Sequence, residues 1–389
     1  MFYASNDANS KGVYSGSCYI VSTIQIANIF FRKVDAIKAY TQTVLKTRVL
    51  VKLPDGFKQY DSDGNEYCVV LAKALEGLRE SGNLWQADTV RWLTNEKDSG
   101  CFGQGAFKQL SSEPTTFVIL KGNAYLAISV WVDDFWCACN DEKFFDLFYA
   151  AYSTRWNAKL LPALGYAGYE IIHKAGAIKL HCTRFLTNTV AKFGPECIEH
   201  ESPAPFDKNR SNPISVCNLR LGDGEKDAEK MKGLPYLSLL ATLLFAIGIV
   251  RAEAAHVISC LCRFMHCPSP RCWDALIYAL GYFKKYPSRG LTYVKDWSIP
   301  RNIPSAFHKY ITSCGGLYFY TDASWKVGST YAGVIIMFGG AAVDWMSKLI
   351  KVICHSTAEA EICAGCFGTT SNIVSVTILI GFAPSEGRP

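Results

Sequence analysis

Residues 124–139 read AYLAISVWVDDFWCAC. Two runs rich in β-branched and aromatic side chains meet at adjacent carboxylates, Asp133 and Asp134. Such runs, broken by aspartates, read as the two strands of a hairpin with the acidic pair at its turn. The pair restricts where that hairpin can lie. A carboxylate taken out of water without a partner costs several kcal/mol. The turn therefore stands in solvent or faces a cation.

Two further segments set an acid directly beside apolar strand residues, VDAIKAY with Asp35 and FYTDASW with Asp322. Nucleotidyl transfer and nucleic-acid hydrolysis use such acids. Paired carboxylates hold two divalent cations about 4 Å apart, which stabilise the entering and leaving oxygens of an in-line displacement. Magnesium takes oxygen ligands, so acids suffice without histidine. Any one of these aspartates, taken alone, is an ordinary turn acid. The weight lies in the set and its order.

The chain has 389 residues, 49% of them hydrophobic, enough for one large core or two to three smaller ones. With 19% charged and 13% aromatic residues, the composition excludes a disordered chain. The net charge of +6 leans slightly toward a polyanionic partner. The N-terminal MFYASNDANSKG lacks a signal-peptide pattern, so an intracellular, non-secreted protein with reduced thiols is expected from its 16 cysteines. Cys137 with Cys139, and Cys260 with Cys262, are spaced too closely for a paired-knuckle zinc site. The apolar runs 237–250 and 372–383 fall short of the about 18 residues of a membrane span, so a buried helix and no membrane partner are expected.

Residues 19–31 are apolar at helical or strand spacing, and DSDGNE (61–66) carries turn chemistry. Residues 69–93 read as helix with a break around Ser81-Gly82-Asn83. SPAPFDKNRSNP (202–213) has linker composition and marks a boundary. Ser269 and Pro270 are set as N-cap and first residue of a helix whose apolar face carries Trp273, Leu276, Ile277, Leu280 and Phe283. The last part reads as three strands, GGLYFYTD, STYAGVIIMFGG and AAVDWMSK, then the helix HSTAEAEICAGCFG, capped by Ser356 or Thr357.

Taken in order, these segments resemble the reverse transcriptase and ribonuclease H region of copia-type LTR retrotransposon Pol polyproteins. DAIKAY (35–40) and LPDGF (53–57) resemble the family's D-V-x-x-A-F and P-x-G-F elements. ALEGLRESGNLW (74–85) resembles A-L-Y-G-L-K-Q-x-x-x-x-W, and AFKQLSSEPTTF (106–117) resembles G-F-x-x-x-x-x-D-P-x-x-F. WVDD (131–134) resembles Y-V-D-D, and GYEI (168–171) resembles F-L-G-x-E-I. Residues 234–265 and the helix WDALIYALGYFKK (273–285) follow the same pattern. YTDASW (320–325) and STAEAEI (356–362) resemble S-D-A-D-W and S-T-E-A-E-Y. The likeness runs from about residue 19 to 383.

The resemblance implies an α+β chain: a right-hand polymerase palm with partial fingers over 1–200, a mostly helical thumb and connection over 201–315, and a partial ribonuclease H-like α/β unit over 316–389. It implies RNA-directed DNA polymerase activity with Mg2+ or Mn2+ held by Asp35 and Asp133, and Asp134 in support. Tyr40 would lie under the sugar of the incoming deoxynucleoside triphosphate, and Glu80 falls in the nucleotide-contacting element. Asp322 and Glu361 would share a second metal cluster that cuts the RNA of an RNA–DNA hybrid, with Glu359 the competing acid. Two residues apart on a helix point about 200° from each other, so only one can face the site. The other partners implied are an RNA template and a DNA primer. Arg32, Lys33, Lys38, Lys46, Arg48 and Lys52 would contact phosphates, or else form a solvated face.

The chain departs from the family pattern in several places. Glu80 stands where the family has glutamine, Trp131 and Glu76 where it has tyrosine. The family's basic stretch before residue 19 and its acids beyond Pro389 have no match, so the ribonuclease H part is not expected to cut RNA by itself. These departures keep open a second reading, a decayed element that catalyses nothing and at most binds nucleic acid.

Overall fold

The computed structural model describes residues 29–95, 105–111, 113–174, 176–194, 201–313, 316–325 and 330–382, with side chains to Thr370. The apolar run 19–31 thus lies outside the described residues except for its last three positions. The described chain forms two compact units, within Asn28–Ala163 and Leu164–Ala383. Both mix helix and sheet, as an α+β chain requires.

The first unit contains β1 (Phe30–Ala36), β2 (Leu50–Lys52), β3 (Cys68–Val70), β4 (Lys108–Gln109), β5 (Thr116–Lys121), β6 (Ala124–Trp131), β7 (Asp134–Cys139) and β8 (Ala158–Leu161). Six of them make one antiparallel sheet in the order β4-β5-β6-β7-β1-β8. The hairpin expected over 124–139 is β6 and β7. Its turn lies one residue earlier than the acidic pair suggests. Trp131 pairs with Asp134, so Val132 and Asp133 form the loop and Asp134 opens the return strand.

Two helices, α1 (Ser81–Thr94) and α2 (Glu142–Arg155), belong to this unit. The helix expected over 69–93 forms only from Ser81. Ahead of it, Cys68–Val70 pair with Leu50–Lys52, because the β-branched Val69 and Val70 favour a strand. Gly77 then takes φ 92, which a right-handed helix interior excludes. The Asp141 carboxylate caps α2 by accepting from the Phe144 N–H at 3.0 Å. That helix buries Phe144, Phe145, Phe148 and Tyr152 in a core shared with Trp85, Trp92, Phe135 and Trp156. The rings of Trp85 and Trp92 meet Trp156 edge-on at 5.4 and 5.1 Å, the arrangement aromatic quadrupoles favour.

The second unit begins with β9 (Gly165–Tyr166), β10 (Tyr169–Lys174) and β11 (Ala177–His181), followed by α3 (Thr183–Phe193). Gly168, between β9 and β10, has φ 92, and a Cβ there would lie 2.6 Å from the Phe245 ring. Helices α4 (Gly224–Met231), α5 (Tyr236–Ile249), α6 (Ala255–Cys262) and α7 (Pro270–Lys285) follow. Then come β12 (Gly290–Val294), which pairs with β11, and α8 (His308–Ser313). α5 is the apolar segment read as a buried helix, and it buries Leu239, Leu240, Leu243, Ala246 and Ile247. Among the described residues no single helix is long and apolar enough to cross a membrane. α7 starts at Pro270 after Ser269, as expected, but the Ser269 hydroxyl donates to the Arg220 carbonyl at 2.9 Å instead of capping the helix.

The chain ends in β13 (Tyr318–Ser324), β14 (Tyr331–Phe338) and β15 (Ala341–Leu349), an antiparallel sheet, and α9 (Thr357–Phe382). These are the three strands and helix read from the sequence. Within the unit, Trp345 donates its indole N–H to the Ile247 carbonyl at 2.8 Å, and Tyr293 donates its hydroxyl to Ala342 at 2.7 Å. The sheet is thereby fixed to α5 and β12.

Candidate active site

Asp35 lies near the end of β1 and pairs across the sheet with Asp134 at the start of β7. Asp133 is the second residue of the hairpin loop, and its carbonyl accepts from the Ala36 N–H at 2.9 Å. The loop is thus tied to β1 beside Asp35. One carboxylate oxygen from each of Asp35, Asp133 and Asp134 lies within 4.8 Å of the other two, and all three residues are half-buried. The structure therefore brings together the first three acids read from the sequence.

The loop holding Asp133 is strained. Val132 has φ 57, a conformation in which a β-branched side chain crowds the backbone. Such a residue persists only where its surroundings enforce it, at a cost of about 1–3 kcal/mol. Trp85 supplies part of that enforcement. Its buried indole donates to the Val132 carbonyl. Trp85 ends the ALEGLRESGNLW motif, so that motif reaches the tip of the acidic hairpin through one hydrogen bond.

Two lysines face the acids. Lys33 shares a strand face with Asp35, two positions on, and its Nζ lies 2.7 Å from Asp134 Oδ2. Lys159, the partner of Asp35 on β8, lies 2.8 Å from Asp35 Oδ2. Burial pushes the Asp133 and Asp134 carboxyls above the usual carboxylate range, and the nearby Asp35 charge adds to the rise. The Lys33 ammonium opposes it at both. The bond to Asp35 holds Lys159 more firmly protonated than a free lysine.

Tyr40 lies in the short helical turn Ala39–Gln42 and packs partly buried against the core. Burial raises its phenol above the ordinary value, and the charges of Asp133 and Glu76 raise it further. Glu76 therefore bears on the same region as Asp133 and Tyr40. Glu80 precedes α1, and its carboxylate accepts from the Thr47 hydroxyl at 2.5 Å.

In the second unit, Asp322 is exposed on β13. Strand alternation puts it on the face opposite Phe319 and Thr321, which pack against Gly368 of α9. Glu361 meets β13 along its edge, accepting from the Ala323 N–H at 3.3 Å. Glu359 belongs to the helix start. Its N–H donates to Ser356 Oγ at 3.1 Å, and its carboxylate accepts from the His355 N–H at 2.7 Å. This is a variant of the capping box, with the Glu359 carboxylate bonded one residue ahead of the N-cap Ser356.

Residues 20–202 match the family model described as reverse transcriptase (RNA-dependent DNA polymerase). By that match the segment is similar to reverse transcriptases. It contains Asp35, Tyr40, Glu80, Asp133 and Asp134. Over a longer stretch, the chain is similar to Pol polyproteins of copia-type transposons. It is 24% identical over 337 residues to the retrovirus-related Pol polyprotein from transposon RE2 of Arabidopsis thaliana, covering 85% of this chain and 20% of that protein. It is 22% identical over 352 residues to the corresponding polyprotein from transposon TNT 1-94 of Nicotiana tabacum, covering 88% and 24%. The chain thus spans about a fifth of the length of these relatives. Among solved structures, a foamy viral protease-reverse transcriptase in complex with ds DNA covers 97% of this chain and 52% of its own, at 11% identity and a TM-score of 0.43. That likeness is too slight to bear on the fold.

The segment matched by the family model also holds residues whose part in the site the sequence did not reveal. Lys33 was expected on phosphates or in solvent, and the structure pairs it with Asp134. Its spacing of two from Asp35 on a strand was the available signal. Arg32 and Lys52, from the same basic group, pair with Glu142 and Glu66. Nothing in the local sequence marked Lys159, whose place follows from the pairing of β8 with β1.

Proposed function

We propose that this chain is an RNA-directed DNA polymerase segment working by two-metal nucleotidyl transfer at Asp35, Asp133 and Asp134. The convergence of these three carboxylates within 4.8 Å on adjacent strands of a segment similar to reverse transcriptases supports this reading. Three acid oxygens with no sulfur or imidazole suit magnesium or manganese. Asp35 and Asp133 would hold the ions, and Asp134, paired to Lys33, would support them. When bound, the ions would polarise the α-phosphate and the primer hydroxyl, so that the new ester forms as the α–β anhydride breaks and pyrophosphate leaves.

The remaining roles fall to the chain's own side chains. The half-buried Tyr40 ring would lie under the sugar and exclude a ribose 2′-hydroxyl. Trp85 and the strained Val132 would keep Asp133 turned toward Asp35. Glu80, bonded to Thr47, is held by a neutral donor within its own segment. On this reading, the first unit is palm with part of the fingers, and the helices of 201–315 are thumb and connection. The template is RNA, the primer DNA, and the substrates are deoxynucleoside triphosphates inside the cell. The terminal sheet with Asp322 and Glu361 would be a ribonuclease H remnant meeting the RNA–DNA hybrid.

The test is primer extension on an RNA template with Mg2+, then Mn2+, beside Asp133→Asn. Extension that disappears in the variant is the expected result. A cooperatively folded chain that extends nothing with either metal would make it a relic, with salt-dependent binding of primer-template as the function left to examine.

A further inference from the structure

We propose that Lys159 is a resident counter-ion of the acid cluster, one that a divalent cation must displace from Asp35. The inference rests on the metal-site reading above. Without metal, Asp35, Asp133 and Asp134 present three carboxylates between two ammonium groups. The two lysines are held differently. The Lys33 and Asp134 side chains are 17% and 20% exposed, so that pair is shielded and Lys33 has little room to leave. The Lys159 side chain is 53% exposed while that of Asp35 is 18%. A long, exposed side chain reaching in from an edge strand can swing into solvent, while its partner stays in the sheet.

The bond also competes directly with a metal. Lys159 occupies Asp35 Oδ2, an oxygen of a proposed ligand. A magnesium-like ion needs its carboxylate oxygens in near-ideal octahedral directions and repels a nearby ammonium. Exposed ion pairs are weak enough to be exchanged. Lys159 thus keeps the cluster compatible with folding before metal arrives, and it lowers the affinity of the site for metal. No proton transfer is assigned to it.

The experiment is calorimetric titration of Mn2+ into the full chain, its Lys159→Gln and Lys159→Arg variants, and Asp35→Asn. The expected result is binding that is lost in Asp35→Asn, tightened about fivefold in Lys159→Gln, and changed less than about twofold in Lys159→Arg. Wild-type binding that Lys159→Gln leaves unchanged or weakens would overturn the role of Lys159 while the metal site stands. Equal tightening in both variants would overturn it as well, because the charge would then not matter. No Mn2+ binding by either the wild type or Lys159→Gln would remove the metal-site reading itself, and this proposal with it. A measurement on the unmodified protein guards against a misfolded variant. Mn2+ should increase the labelling of Lys159 by an amine-reactive reagent and leave Lys33 protected. Unchanged labelling of Lys159 at saturating Mn2+ would overturn the displacement.

Discussion

The indole N–H of Trp85 is bonded to the carbonyl of Val132, so a buried residue in the second turn of α1 fixes the loop that carries Asp133. Trp85→Phe keeps an aromatic ring in the core and removes only the donor and some volume. It is expected to cost about 2 kcal/mol, from one hydrogen bond and imperfect repacking. Urea denaturation checks the cost. Mn2+ affinity should fall with it, and an unchanged urea midpoint would mean that the loop does not depend on the indole.

Val132→Gly should act in the opposite direction. Glycine adopts a positive φ without the crowding that valine suffers at φ 57. Val132 is 46% exposed, so little packing is lost with its side chain. A gain of about 1 kcal/mol is expected, seen as a higher urea midpoint at constant slope. A lower midpoint would show that the valine side chain supports the turn by contacts that outweigh its strain.

Burial raises the Asp133 carboxyl in the folded chain, chiefly by disfavouring its charge. The native state then binds more protons than the unfolded state between the ordinary aspartate value and the raised one. Within that window this group makes stability fall as pH rises, and the loss is complete above the raised value. Asp133→Asn should therefore flatten the metal-free stability profile just above the ordinary carboxylate range and raise stability near neutrality. Chemical denaturation across pH 4 to 7 without divalent ions reads this out. A steeper decline in the variant would contradict the sign.

At the other end of the chain, Ser356→Ala removes the hydroxyl that accepts from the Glu359 N–H. A loss of about 1 kcal/mol is expected for an N-cap serine. Amide hydrogen exchange should speed up in the first turn of α9 while the acid cluster of the first unit keeps its protection. Glu361→Gln, which leaves the capping box intact, should leave that first turn protected.

Much of the acid cluster was legible in the sequence because its strands carry strong local signals. Val, Ile, Trp and Phe on both sides of Asp133 left few structures other than a hairpin. The order of the motifs supplied its partner, Asp35. The one-residue displacement of the turn was not legible, because aspartates suit loops and valine at positive φ does not. Sequence preference alone would have put both acids at the tip. Residues 69–80 misled for a related reason. Leu, Ala and Glu there suit a helix, and only Gly77 and the pairing of Val69 and Val70 with 50–52 turn the segment aside. Lys159 depends on sheet register, which local composition does not encode.

The acid cluster is written in the pleat of three neighbouring strands. Lys33 and Asp35 share a face of β1 because they are two apart, while Asp134 and Lys159 meet Asp35 from its two flanks. Loss or gain of one residue inside β1, β7 or β8 would turn that strand's charged side chains toward the opposite face. The segment is therefore least tolerant of single-residue insertions where its strands look most ordinary. Changes of length in the exposed turn at 61–66 would leave the charged array intact.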